Sequence, residues 1–125
     1  MSRNFYSILL ASFFLLIVAG EWSCVSDTDL AGLPEVSFKT DVQPIIVSNC
    51  TQEGCHGIVQ PEQSALLTYA DIRAGVKPGD GRHSDIYERI TDRNEEIMPP
   101  APASHLSDKQ ISTIFIWIEQ GAKDN

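Results

Sequence analysis

Cys50 and Cys55, with His56 directly after the second cysteine, set the tightest limit on how this chain folds. Successive residues of an α-helix advance by about 100°, so cysteines five positions apart lie roughly 140° round from each other, against about 60° for a three-position spacing. Chemistry that needs both sulfurs and the imidazole on one side therefore requires the chain to leave its helix at Cys50. It must then bulge over Thr51, Gln52, Glu53 and Gly54 before coming back. Gly54 is placed for that return, because glycine takes a positive φ without steric cost.

The flanking segments read as helices. Phe38, Val42, Ile45 and Ile46 fall at i, i+4, i+7 and i+8, which predicts a first helix ending near Asn49, with Thr40 and Gln43 as its capping box. Pro44 is expected to bend that helix or to sit in its first turn. A short helix over Tyr69 to Arg73 follows, with Asp71 in reach of the Thr68 backbone and Gly75 as its stop. Lys77-Pro78-Gly79-Asp80-Gly81 is a turn cluster. Ser84 then reads as the N-cap of a helix to about Thr91, with Ile86 and Ile90 on its inner face. Beyond it, Met98-Pro99-Pro100-Ala101-Pro102 is stiff, extended and poor in donors. The last helix has a capping box at Ser107 and Gln110, an apolar stripe of Ile111, Ile114, Phe115 and Ile118, and Gly121 as its stop. Phe115 and Trp117 are expected to pack on the first helix. With no alternating strand pattern of useful length, the class is all-α.

The N-terminus is of a different kind. Arg3 precedes an apolar run from Ile8 to Ala19, too short for a comfortable membrane span and suited to the core of an export signal. Cys24 sits just past it, before the polar Val25-Ser26-Asp27-Thr28-Asp29, like the start of a bacterial lipoprotein. The organisation expected is a signal peptide over 1–23, a tether over 24–35 and one domain over 36–125, with a lipid on Cys24. Without the lipid, a soluble exported or periplasmic protein results. The 125-residue chain carries a net charge of −8, and its nine Lys and Arg form no basic cluster, which argues against nucleic acid as a partner. A protein partner with a basic patch suits such a surface better.

Two cysteines followed at once by a histidine are the elements of covalent haem attachment, normally written C-x-x-C-H and here widened to four intervening residues. Thioether bonds from Cys50 and Cys55 to the two vinyl groups fix a porphyrin to the chain, and His56 is in place to bind its iron. A flat, apolar cofactor also supplies core to a domain of about 90 residues, which buries little surface by itself. Met98 is the candidate sixth ligand: its thioether favours Fe(II), and the prolines after it restrict motion between redox states. His83 and His105 are the rival ligands, and Arg73, Lys77, Arg82 and Arg93 lie in the region that could reach the haem carboxylates. Other readings of the residues are a Cys50–Cys55 disulfide in a haem-free lipoprotein module, a zinc site, and a haem-based peroxidase or gas-binding domain whose sixth ligand is labile.

Phe38 to Ile46 leading into Asn49-Cys50, then Gly54-Cys55-His56, Val76 to Asp80 with Ser84-Asp85-Ile86-Tyr87, Met98-Pro99-Pro100, and Leu106 to Ile111 running on to Trp117-Ile118-Glu119-Gln120-Gly121-Ala122 occur in a fixed order. In that order they resemble a small class I type cytochrome c domain, and more narrowly the exported single-haem domains of Bacteroidetes and related bacteria that use a four-residue gap. The resemblance spans Val36 to Lys123. It implies three to five short helices round one covalent haem c, with the Val42/Ile46 face of the first helix packed on the Ile114/Ile118 face of the last. It also implies Cys50 and Cys55 as the haem-linking residues, His56 as proximal and Met98 as distal ligand. The activity implied is transfer of single electrons between redox protein partners in the cell envelope, with no enzymatic bond chemistry.

Overall fold

A computed structural model describes residues 30–57, 64–94 and 97–125, so the expected signal peptide, Cys24 and most of the tether lie outside the described residues. The described residues form helices and turns with no strand, an all-α arrangement. A 3₁₀ turn, Leu30–Gly32, leads to α1, which opens as a π-helical turn, Phe38–Val42, and continues as the α-helix Gln43–Cys50. Then come α2 (Tyr69–Ala74), a 3₁₀ turn (Gly81–His83), α3 (Asp85–Thr91) and α4 (Asp108–Glu119).

The start of α1 differs from the capping box expected at Thr40 and Gln43. Ser37 is the cap: its Oγ accepts from the Thr40 N–H at 3.3 Å, and its own N–H donates to Asp41 Oδ2 at 2.8 Å. Pro44 stands in the first turn of the α-helical part, where it has no intrahelical N–H to lose. Phe38 and Val42, four apart in the wide turn ahead of it, both face inward, at 2% and 0% exposure.

The capping boxes at Thr68/Asp71 and Ser107/Gln110 are both present, and Gly121 ends α4 with φ +99°. Gly75 ends α2 with a negative φ of −94° instead of a left-handed one. It is small for a different reason: a Cβ there would approach Ile86 Cγ1 to 3.2 Å. Ser84 precedes α3 as expected, but its side chain caps nothing in that helix.

One apolar cluster joins the elements: Phe38, Val42 and Ile46 of α1, Ile72 of α2, Ile90 of α3, and Ile114, Trp117 and Ile118 of α4. Trp117, not Phe115, is the buried aromatic of α4. Its Nε1 donates to the Lys123 carbonyl at 3.0 Å, which lets the whole indole be buried, and its ring lies 5.5 Å from that of Phe38. Phe115 instead packs on Tyr87 of α3, ring centroids 4.9 Å apart. The chain end closes over the start of α1. Asn125 Oδ1 accepts from the Phe38 N–H at 2.7 Å, and the Asn125 carbonyl accepts from the Lys39 N–H and the Ser37 hydroxyl, both at 3.0 Å. These bonds take up N–H groups that a helix start cannot satisfy internally.

Candidate functional site

α1 ends at Cys50 because side chains and the returning chain take over its last carbonyls. Thr51 Oγ1 donates to the Val47 carbonyl at 2.8 Å and Gln52 Nε2 to that of Ser48 at 2.9 Å. The Cys50 carbonyl accepts from the His56 N–H at 2.9 Å, which closes the bulge. Within it the Cys55 N–H donates to the Gln52 carbonyl at 2.9 Å, and Gly54 adopts φ +82° with no neighbour within 4 Å of a Cβ built there. Glycine is thus required at 54 by backbone conformation and not by space.

The bulge brings Cys50, Cys55 and His56 to one cleft of about 90 Å³, and Met98 lines the same cleft with Pro99, Pro100, Asn49 and Gly54. Residues more than forty positions apart in sequence thereby share one small apolar recess. Met98 is held there by its N–H, which donates to the Arg89 carbonyl of α3 at 2.9 Å. A larger cavity of about 650 Å³ lies elsewhere, against Leu33, Pro34, Ile45 and Ile116, but no cysteine, histidine or methionine lines it.

The His56 ring is held by one contact. Its Nδ1 lies 2.8 Å from the Ser64 carbonyl, which can only accept, so Nδ1 carries the hydrogen and Nε2 keeps its lone pair free. The Leu66 N–H donates to the His56 carbonyl at 2.9 Å and fixes the backbone as well. Nothing in the sequence marks Ser64 for this part, since its backbone oxygen does the work.

Both cysteines are free thiols. Burial, with a smaller contribution from the charge of Cys55, pushes the Cys50 thiol up to about 11. Among the described residues, no group of three or more His, Cys, Asp or Glu is arranged to hold a metal ion. His83 is exposed and paired with Asp80, Nδ1 to Oδ1 2.7 Å, and His105 is also exposed; neither lines the cleft. Arg73 donates through Nη1 to the Val76 carbonyl at 2.8 Å, and Lys77, Arg82 and Arg93 are exposed. None of these four lines the cleft either.

No protein-family model matches the chain, and no curated protein or solved structure does so either.

Proposed function

We propose that this chain is a monohaem c-type cytochrome, with the cytochrome c-like arrangement of short helices, that carries single electrons between protein partners in the bacterial cell envelope. The observation that carries the reading is the convergence of Cys50, Cys55, His56 and Met98 on one apolar cleft. The donor set fits haem c: two thiols for thioether links, an imidazole with Nε2 free, and a soft thioether sulfur. As it stands the cleft is small beside the roughly 300–1,000 Å³ of ordinary ligand pockets. Holding a macrocycle therefore requires the Met98 loop and the Cys50–His56 bulge to part, and covalent attachment through both cysteines would keep it held between them.

The covalently bound haem would supply an iron that alternates between two oxidation states without making or breaking bonds in a substrate. The chain's own residues fix that iron's surroundings. His56 would bind through Nε2, with its ring orientation fixed at Nδ1 by Ser64. Met98 would bind through its thioether sulfur, and Pro99, Pro100 and Pro102 limit the loop's freedom, so little structure would have to move when the charge changes. A His/Met pair also raises the reduction potential.

The packing of α4 on the start of α1 supports the same fold reading, as does the position of the Met98 loop directly after α3 and before α4. Export would be directed by residues 1–23, and a lipid on Cys24 would hold the domain at a membrane. Among the described residues, no helix is long and apolar enough to cross one.

The test is an optical spectrum of protein matured in a host that ligates haem c. Oxidised protein should show a low-spin spectrum with the weak sulfur-to-iron band at the red end of the visible range, and Met98→Ala should lose that band. An intact mass without haem would overturn the reading, and the same mass measurement reports the state of Cys24.

A further inference from the structure

Ser84 is the one polar side chain that the described core buries completely, at 0% exposure. At the N-cap of a helix a serine oxygen ordinarily accepts from the backbone of the first turn. Here it turns the other way. Ser84 Oγ accepts from the Lys77 N–H at 2.8 Å and donates to the Asp80 carbonyl at 2.9 Å, with the Lys77 carbonyl at 3.3 Å. Its donor and its acceptor are both spent on the turn before α3, and nothing lies unpaired.

That turn is in its own right pinned to α4. The Gly79 N–H donates to the Ile118 carbonyl at 2.8 Å, and the Gly81 N–H to Glu119 Oε1 at 2.7 Å. The contact has no slack: a Cβ on Gly81 would come within 2.6 Å of the Phe115 ring. At the far end of α3, the Arg89 carbonyl receives the Met98 N–H. A seven-residue helix, about 10 Å of stiff rod, thus has one end fixed to α4 through Ser84 and the other end on the backbone of Met98.

We propose that Ser84 is a positioning residue for Met98: by locking α3 to the Lys77–Asp80 turn, its hydroxyl sets where the methionine sulfur stands over the cleft. This rests on the reading of Met98 as an iron ligand. Losing the hydroxyl leaves the part-buried Lys77 N–H without its partner, and this end of α3, then held by the Ser84 N–H on the Gly81 carbonyl and the Ile86 N–H on that of Gly75, is loosened. The freedom reaches Met98 through the helix, while the Cys50–His56 bulge, which shares no hydrogen bond with α3, keeps its geometry.

The experiment compares haem-loaded Ser84→Ala with haem-loaded Ser107→Ala. The second variant removes the α4 cap, a side-chain hydrogen bond to Gln110 from a serine that bonds neither α3 nor Met98. The readouts are the sulfur-to-iron band of the oxidised protein and the rate at which added imidazole displaces the sulfur, alongside thermal unfolding followed by far-UV circular dichroism. Both variants should unfold at lower temperature, but only Ser84→Ala should weaken the band and raise the displacement rate, by about tenfold. Equal displacement rates in the two variants, or rates that simply track the loss of stability, would overturn the proposal. Should Ser84→Ala not fold, Glu119→Ala removes the acceptor of the Gly81 N–H, loosens the same turn from the α4 side and should shift the rate in the same direction by a smaller factor; no shift there overturns it too. Failure of the ligand reading itself is separable: Met98→Ala would then leave both the band and imidazole binding as they are in the parent protein.

Discussion

Around Phe38 the chain is closed on itself, and around Cys50 it is not. At the first place a buried phenylalanine packs between Trp117 and Tyr69, with ring centroids 5.5 and 5.1 Å away, and Asn125 returns from the chain end to bond the helix start. At the second, a helix is brought to a stop, a glycine turns the backbone, and four side chains with thiol, imidazole and thioether groups line a recess without bonding one another. Hydrophobic burial needs no partner outside the chain, so the first region explains the fold. The second region brings together thiol, imidazole and thioether groups, the donor set on which the proposed haem reading rests.

The largest effect that separates the two regions is expected on the closed side. Trp117→Ala removes the biggest buried side chain and should cost about 3–5 kcal/mol, a large share of the roughly 5–15 kcal/mol that holds an ordinary domain folded. Urea unfolding followed by circular dichroism measures it. Met98→Ala is the counterpart on the open side. In haem-free protein it should cost less than about 2 kcal/mol, because the side chain is only half-buried, while in haem-loaded protein it removes the sulfur-to-iron band. If Met98→Ala destabilised the haem-free chain as much as Trp117→Ala, the cleft would be core, and the distinction would break.

A finer comparison uses two glycines under the same backbone constraint. Gly54 and Gly121 have φ of +82° and +99°, and a Cβ on either would meet nothing within 4 Å, so alanine costs strain alone, about 1–2 kcal/mol in each case. Gly121→Ala should lower the unfolding midpoint and leave haem attachment as it was. Gly54→Ala should lower the midpoint by a similar amount and also reduce the fraction of chains with haem joined through both cysteines, read from the mass of the intact protein and its haem peptides. Equal attachment in the two variants would show that the bulge does not govern access of Cys55 and His56 to the site.

Features set by near neighbours in sequence could be read there, and features set by distant ones could not. The capping boxes at Thr68 and Ser107 are three-residue motifs with their own hydrogen bonds, and the need for glycine at 54 follows from the cysteine spacing. The start of α1 lies at Ser37, three residues before the Thr40 that a regular capping box would use, because a π-turn lets Ser37 reach Asp41. Trp117 outranked Phe115 in the core because a carbonyl at Lys123 meets its N–H. Gly75 is small because Ile86 arrives from α3, and Ser84 faces its own turn because α4 holds that turn in place. Within the cleft, residue types pointed to Cys50, Cys55, His56 and Met98, while the orientation of His56 comes from a backbone oxygen at Ser64 that no side-chain pattern reveals.

The smallest expected effect is electrostatic and sits outside both regions, at the α2 cap. Hydrogen bonds from the Thr68 side chain, then from its backbone N–H, and from the Leu67 N–H hold the Asp71 carboxyl below its ordinary value, against a weaker opposing effect of desolvation. Since the folded pKa lies below the unfolded one, the unfolded chain binds more protons in the interval between them, and stability there rises with pH. The contribution is fully present above the ordinary carboxylate value of about 3.9 and is lost as pH falls through the lower folded value. Asp71→Asn should therefore flatten the fall in unfolding midpoint below about pH 4 without changing its shape near neutrality. The capping geometry survives in part, since the Thr68 oxygen still accepts from the backbone N–H at 71. Asp80, lowered chiefly by its hydrogen bond with His83, contributes in the same direction, so some acid sensitivity should persist in the single variant and shrink again in Asp71→Asn/Asp80→Asn. An acid limb unchanged in the double variant would mean that acid sensitivity arises elsewhere.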